Sequence, residues 1–417
     1  MTMTSDHPSS PAGLPPTQHP EAQRAGLLPA SAVRDASERD GGRYLILDES
    51  PIEVWRRPMS HRLERQLAAE GLGPYGEGDV DATSPVAILR ADHFFDRAAG
   101  YLLLRDAPSL MTMPGPSGGV VPVAAYCNAD EVDTWRALLE AGEVDAASLP
   151  AEASMLDAAA LPEIYNSELR KMTRPFVSAI NENTIDEIER RTFDLAYKGV
   201  TDFVTKYIYP TPAYYGTRLA AHLGLSPNAL TSISLVLVVI TTWLFATGQH
   251  ALGLPFGFLM SYFDTLDGKL ARVTQTSTKW GDTFDHAIDL VHPPFWWFAW
   301  WWGVGLQSAP AGWSLAAILT FVFYTLVRLL EWRFKKRYAV RIHTWQPFDS
   351  HFRSITTRRN PNLTILTLSL LFADAAFGVY AVLGWMMISF AIHTTRFIQA
   401  EIQVRGGTPL RSWFEKI

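Results

Sequence analysis

Between residues 229 and 399 the chain passes through six apolar segments, at about 229–247, 252–274, 282–305, 312–333, 362–376 and 378–399. Several reach the roughly 20 residues that a helix needs to cross a hydrocarbon core. The fifth is expected to be short or tilted. In lipid every backbone amide and carbonyl must find its partner within the spanning structure, which restricts such a run to helices. The expectation is an α-helical integral membrane domain of six transmembrane helices over 227–400. The first half of the chain has soluble character, so a small soluble α/β domain is expected ahead of it.

Basic residues set the orientation. The loops near 248–251, 306–311 and 373–377 hold no Lys or Arg, whereas the opposite loops carry Lys269, Arg272 and Lys279 and then a run from Arg333 to Arg359. The positive-inside rule then places both termini on the cytoplasmic side of an inner (cytoplasmic) membrane. Residues 1–42 are polar and rich in Pro, Ala and Ser, without the pattern of a signal peptide, and read as a disordered tail. Trp296, Trp297, Trp300, Trp301 and Trp302 cluster in the third segment, and the plain expectation for them is an interfacial aromatic belt.

Four regularly spaced carboxylates interrupt this apolar half. Asp264, Asp267, Gly268 and Ala271 fall at i, i+3, i+4 and i+7, one helical face; Gly281, Asp285 and Asp289 fall at i, i+4 and i+8, again one face. Two helices presenting two acids each to a common point would make an oxygen-rich site for a hard divalent cation. A solvated face, or pairing with Lys269, Arg272 and Lys279, is the other reading. The location between apolar segments favours function, because ionisable groups there are costly. Gly268 and Ala271 would let a ligand lie against the backbone.

The eight positions Asp264, Asp267, Gly268, Ala271, Arg272, Gly281, Asp285 and Asp289 form the pattern D-x-x-D-G-x-x-A-R-(x8)-G-x-x-x-D-x-x-x-D, and on it the chain resembles the CDP-alcohol phosphotransferase family over roughly 210–400. The resemblance implies six transmembrane helices around a polar cavity facing the cytoplasm. It implies a CDP-alcohol donor held through its pyrophosphate by one or two Mg2+ or Mn2+ ions, with Asp264, Asp267 and Asp285 as ligands. Asp289 would deprotonate the acceptor hydroxyl and would also touch metal. The donor's CDP would meet Asn228, Asp267, Gly268, Ala271, Arg272 and Gly281; Asn228 belongs to a Pro-Asn helix entry like the family's. CMP would leave. Family members also resemble homodimers packed through membrane helices.

Arg353, Arg358 and Arg359 lie beside the membrane. Their planar forks suit a phosphate on the acceptor side, for instance a polyol phosphate, or they serve as positive-inside and lipid-headgroup residues. His286 and His292 flank the acids, with interface or supporting roles favoured over metal coordination.

Ahead of the membrane, Tyr44–Leu47, Val86–Arg90 and Val120–Ala125 read as strands, and His61–Glu70 and Ala129–Ala141 as helices. This domain, 43–162, is similar to the nucleotidyltransferase domain fused ahead of some inositol-phosphate-handling relatives. It lacks that domain's Gly-rich loop with a basic residue, so it is expected to be non-catalytic. An inositol-type alcohol on one side of the reaction follows from the same likeness. Asp92 and Asp96 are a metal pair or plain loop acids. Residues 163–226 read as a linker with juxtamembrane helices, Phe193–Tyr209 as an interfacial helix broken by Pro210 and Pro212, and 401–417 as a cytoplasmic tail.

Other function classes fit less well. The formal net charge of −6 argues against a nucleic-acid binder. The lone Cys127 excludes an intrachain disulfide and a cysteine-only metal site. A transporter would spread its acids over several helices at mid-depth, and a non-catalytic scaffold would have lost motif positions; neither is seen.

Overall fold

The computed structural model describes residues 42–76, 84–105, 107–305 and 311–416. The expected tail over 1–41 and the loop residues 306–310 lie outside them. The soluble part is built from β1 (Arg43–Glu49), α1 (Met59–Ala69), β2 (Gly73–Pro74), β3 (Pro85–Ala91), β4 (His93–Phe95), α2 (Arg97–Leu103), β5 (Ser109–Pro114), β6 (Val120–Asn128), α3 (Val132–Glu140) and β7 (Ser154–Asp157). Six of the strands form a mixed sheet of order β2-β1-β3-β6-β5-β7. β1 runs parallel to β2 and β3, β5 parallel to β7, and β6 antiparallel to β3 and β5. The central β3 is a continuous Val-Ala-Ile-Leu run because both of its faces are covered. Trp135 and Leu139 of α3 pack with Val86 and Ile88 on one face, and Met59 and Leu63 of α1 with Ala87 and Leu89 on the other.

The loop 115–119 is glycine-rich, but its amides are already taken. Glu143 accepts from the backbone N–H groups of Ser117 and Gly119. Asp96 caps α2 by accepting from the Ala99 amide, and Asp92 pairs with Arg90 and His93.

Residues 163–226 are folded throughout. They form β8 (Ile164–Asn166) and β9 (Lys171–Thr173), an antiparallel hairpin, then β10 (Val177–Ala179) paired with β4, then α4 (Ile185–Leu195) and α5 (Pro210–His222). No single helix covers 193–209: α4 ends at Leu195, and a π-helical turn occupies Val204–Ile208. Pro210 and Pro212 do not break a helix but begin one, since a proline in the first turn gives up an amide that has no partner there anyway.

Six longer helices follow: α6 (Pro227–Ala246), α7 (His250–Val273), α8 (Lys279–Gly303) and α9 (Ala311–Tyr338), then, after the short α10 (Pro347–Phe352), α11 (Arg359–Phe372) and α12 (Ala375–Arg405). They fall on the six apolar segments. Three stretches, Pro227–Ala246, Leu315–Tyr338 and Ala375–Arg405, are long and apolar enough by themselves to cross a membrane. The fifth, α11, has 14 residues, about 21 Å of helix and therefore short for a span.

The tryptophans of α8 do not form a belt. Trp296, Trp297, Trp300 and Trp301 are buried, whereas Trp302 and, at the start of the helix, Trp280 are exposed. The Trp296 indole donates to the Val238 carbonyl of α6 and that of Trp300 to Ala375 of α12. The rings of these four residues, and the N–H groups of Trp296 and Trp300, are thus used between helices.

The soluble and membrane parts share one core. Leu266, Leu270 and Val273 at the end of α7 pack in the same cluster as Leu63, Phe94, Phe193 and Tyr214. At the helix end the buried Arg62 of α1 donates to the Val273 carbonyl. A cation on a terminal carbonyl satisfies a group that the helix cannot.

Candidate active site

One cavity of about 600 Å³ opens where the soluble part meets the bundle. At its floor one carboxylate oxygen each from Asp264, Asp285 and Asp289 lie within 4.8 Å of one another. The acids come from α7 and α8, between seven and eleven residues from the connecting turn at 274–278, which sets the floor about 10–16 Å along the helices. Arg359, the first residue of α11, bridges the pair of helices. Its Nη2 donates to Asp264 at 2.6 Å and its Nη1 to Asp289 at 2.7 Å. The positive end of α11 thus faces the acids. Of the two acids that Arg359 bridges, Asp289 is the more open, with 45% of its side chain exposed against 14% for Asp264.

Asp267 is buried on the same helix but turns aside: it accepts from the Thr231 hydroxyl of α6 and does not line the cavity. Gly268 and Arg272 do line it. A Cβ on Gly268 would come within 3.1 Å of Arg272 Nη2, and the guanidinium is held by donating from Nε to the Ala196 carbonyl. Asn228, Ala271 and Gly281 stand outside the lining. Gly281 is nevertheless constrained, because a Cβ there would sit 2.6 Å from Asn228 Oδ1 and 3.0 Å from Thr278 Oγ1. Two helix starts meet at that glycine.

The opposite wall is cationic. Arg353 is 8% exposed, and its Nε and Nη1 have no hydrogen-bond partner among the described residues. Burial and the neighbouring Arg358 pull its pKa well down. Arg358 pairs with Glu331 of α9, which also holds Arg328 at 3.1 Å and meets His343 Nε2 at 3.0 Å. Of the three arginines singled out in the sequence, Arg353 keeps two nitrogens without a hydrogen-bond partner among the described residues, Arg358 pairs with Glu331, and Arg359 bridges Asp264 and Asp289. Asp202 accepts from Asn360 at 2.8 Å and from the Thr205 amide and hydroxyl, which ties the segment before α5 to the start of α11.

Neither histidine near the acids joins them. His286 is exposed with Nδ1 on the Asp282 carbonyl, and the buried His292 turns Nδ1 to the Ile288 carbonyl. Sequence reading overlooked Arg170, Lys198, Asp202 and Glu331, all of which line the cavity. Only Glu331, an acid inside an apolar segment, carried a signal that could have been noticed.

Comparison with known proteins covers the bundle. Residues 224–395 match the CDP-alcohol phosphatidyltransferase family model. Cholinephosphotransferase 1 of Danio rerio is 38% identical over 86 residues, 17% of this chain and 21% of that protein, so the chain spans about a fifth of this relative's length. Structures of Mycobacterium tuberculosis phosphatidylinositol phosphate synthase in apo form and with CDP-DAG bound each cover 43% of this chain and 93% and 90% of theirs. They do so at 17% identity, with TM-scores of 0.34 and 0.35. The part of the chain that holds both acid helices, Arg353, Arg358 and Arg359 thus lies within the match to the CDP-alcohol phosphatidyltransferase family model, while residues 42–223 lie outside it.

Proposed function

We propose that this chain is a membrane-embedded CDP-alcohol phosphotransferase that moves a phospho-alcohol group from a CDP-alcohol to an alcohol acceptor. The observation that carries the reading is the convergence of Asp264, Asp285 and Asp289 at the floor of a polar cavity inside the bundle. Their donors are all hard carboxylate oxygens, which fits Mg2+ or Mn2+ and not a soft metal. A bound divalent ion would neutralise charge on the donor's pyrophosphate. Asp267 would support the site through α6 without entering it.

The chain's own residues do the rest. Asp289 is the open carboxylate, and Arg359 occupies only one of its oxygens, which leaves the other to take the acceptor's proton. The acceptor oxygen then bonds to the β-phosphorus, the bond to the bridging oxygen breaks, and CMP leaves with that electron pair. Arg272 and Gly268 would border the donor. Arg353, with two unpartnered N–H groups, would meet an anionic group of the acceptor, and Arg358 and Arg359 would shape that wall. Asn228, Ala271 and Gly281 would act through helix packing near the nucleotide.

Further parts of the reading stand on sequence pattern: six spans, a cytoplasmic active face in an inner membrane, an inositol-type alcohol on one side, and a homodimer. The soluble domain would be non-catalytic, which is supported by Glu143 filling the amides of loop 115–119 and by Asp96 serving as a helix cap.

The test is CMP release by purified protein in detergent with Mg2+ or Mn2+. CDP-diacylglycerol and CDP-inositol would each be offered with polyols and polyol phosphates, with Asp289→Asn alongside. Metal-dependent release that falls by about 10²-fold or more in the variant is expected. No release from any pair, together with no metal-dependent CDP binding, would remove the reading.

A further inference from the structure

The cavity is not completed by the family-matched bundle alone. Two of its cations come from the chain ahead of it: Arg170, in the turn of the β8–β9 hairpin, and Lys198, in the irregular stretch after α4. Arg170 has a φ of +55°, a backbone state that costs a non-glycine residue about 1 kcal/mol and persists only where its surroundings hold it. Those surroundings are visible. The Gly199 amide donates to the Leu169 carbonyl at 2.8 Å. A Cβ on Gly199 would lie 2.6 Å from Lys171 Cβ and 2.7 Å from the Arg170 carbonyl oxygen. The stretch bearing Lys198 is thus pressed onto the turn bearing Arg170.

The far end of the chain holds the hairpin from the other side. Tyr165 of β8 stacks on Phe414 with centroids 5.4 Å apart, and Ser412 Oγ lies 3.3 Å from the Tyr165 hydroxyl. Ser412 also donates to the Thr344 carbonyl, and the Trp413 indole donates to Ser350. Residues from beyond both ends of the family match clamp one turn over the cavity.

What that turn presents is buried positive charge, in a cavity that also holds Asp202, Asp285 and Glu331. Arg170 Nη1 reaches the Val200 carbonyl at 3.3 Å, but its Nε is buried without a partner among the described residues, like two nitrogens of Arg353 on the same wall. Burial draws Arg170 down to about 9, with Arg341 and Arg358 adding repulsion and Glu331 opposing it, and Lys198 down to about 8, with Arg272 and Arg170 adding repulsion and Asp285 opposing it. Buried guanidinium nitrogens that lack a hydrogen-bond partner are costly unless an anion joins them.

We infer that Arg170 and Lys198, together with Arg353, form a specificity site for a phosphate monoester on the acceptor substrate, built by segments outside the phosphotransferase bundle and locked by the C-terminal Ser412–Phe414. This deepens the proposed function and rests on it for the word acceptor. A phosphate offers two charges and three acceptor oxygens to planar guanidinium donors. It would anchor the substrate at the cationic wall while a hydroxyl of the same molecule reaches Asp289. The same chemistry could come from the donor's pyrophosphate, which the experiment separates.

Arg170→Gln, Lys198→Gln and Phe414→Ala would be compared with wild type in CMP release. Glycerol and inositol would be tested against glycerol 3-phosphate and inositol 1-phosphate. The expected result is a KM for the phosphorylated acceptor raised about ten-fold or more in Arg170→Gln. The KM for the CDP-alcohol should stay in place, and Arg170→Lys should recover part of the loss. Phe414→Ala, which removes no charge, should raise the same KM by loosening the hairpin. A rise confined to the donor KM would assign the wall to the pyrophosphate and overturn the inference, as would no change in an active enzyme. If wild type releases no CMP, the proposed function fails separately. Inorganic phosphate in EDTA then decides: it should raise the melting temperature of wild type and not of Arg170→Gln, and equal protection would overturn the site.

Discussion

Arg359 shows how a single side chain can govern a site whose ligands lie elsewhere in sequence. It stands 70 residues from Asp289 and 95 from Asp264 and touches both. Three carboxylates this close repel one another, and a guanidinium with two N–H arms offsets that in the absence of a cation. Arg359→Gln should therefore lower the melting temperature of the metal-free protein by several degrees. Added Mn2+ should restore more stability to the variant than to wild type, since the ion takes over the neutralising role. Differential scanning fluorimetry in detergent with EDTA and then Mn2+ reads both terms. Equal responses to Mn2+ would show that Arg359 does not share the ion's task.

At the scale of elements, the site depends on how helix ends are held. α7 ends at Val273 directly beneath the soluble domain, and Arg62 of α1 reaches across to its last carbonyl. Charge-assisted bonds to buried groups are worth about 1.5–3 kcal/mol, so Arg62→Met should cost about that much stability, partly offset by its apolar volume. A loss well below 1 kcal/mol in thermal unfolding would mean that water replaces the guanidinium. The same element carries Asp264 and Asp267, so metal affinity should weaken in this variant as well. α11 has the complementary arrangement, with its N-terminus turned toward the acids and Asn360 anchored on Asp202.

The whole molecule behaves as one packed body and not as a bundle with an appended domain. Leu270 is 1% exposed in a cluster that contains residues of the soluble sheet, α5 and α7. Leu270→Ala should cost about 2–5 kcal/mol. Secondary structure of the soluble part and metal-dependent CDP binding should then be lost together on heating. Two separated transitions would show that the parts fold independently.

Much of this was legible in the residues alone. The apolar segments are a composition property, and each falls on a helix of the structure. The acid spacing is local too: i, i+3 and i+4 intervals fix which residues share a helical face, whatever the helix packs against. The strands β1, β3 and β6 were readable from their short apolar runs. What could not be read depended on partners distant in sequence. The α8 tryptophans could equally have served lipid headgroups or neighbouring helices, and carbonyls on α6 and α12 settled them as core. Asp267 belongs to the acid pattern, yet Thr231 of α6 draws it out of the cavity. Arg359 reads from the sequence as a phosphate ligand or a positive-inside residue, and only the packing of α11 places it between two acids. Arg170 had no periodic signal, because a hairpin turn gains its place only from Gly199 and Phe414 packing around it. Sequence determined the helices and the faces they offer, since those depend on bonds within a few residues; tertiary structure alone decided which face meets which, since that depends on contacts that no local spacing encodes.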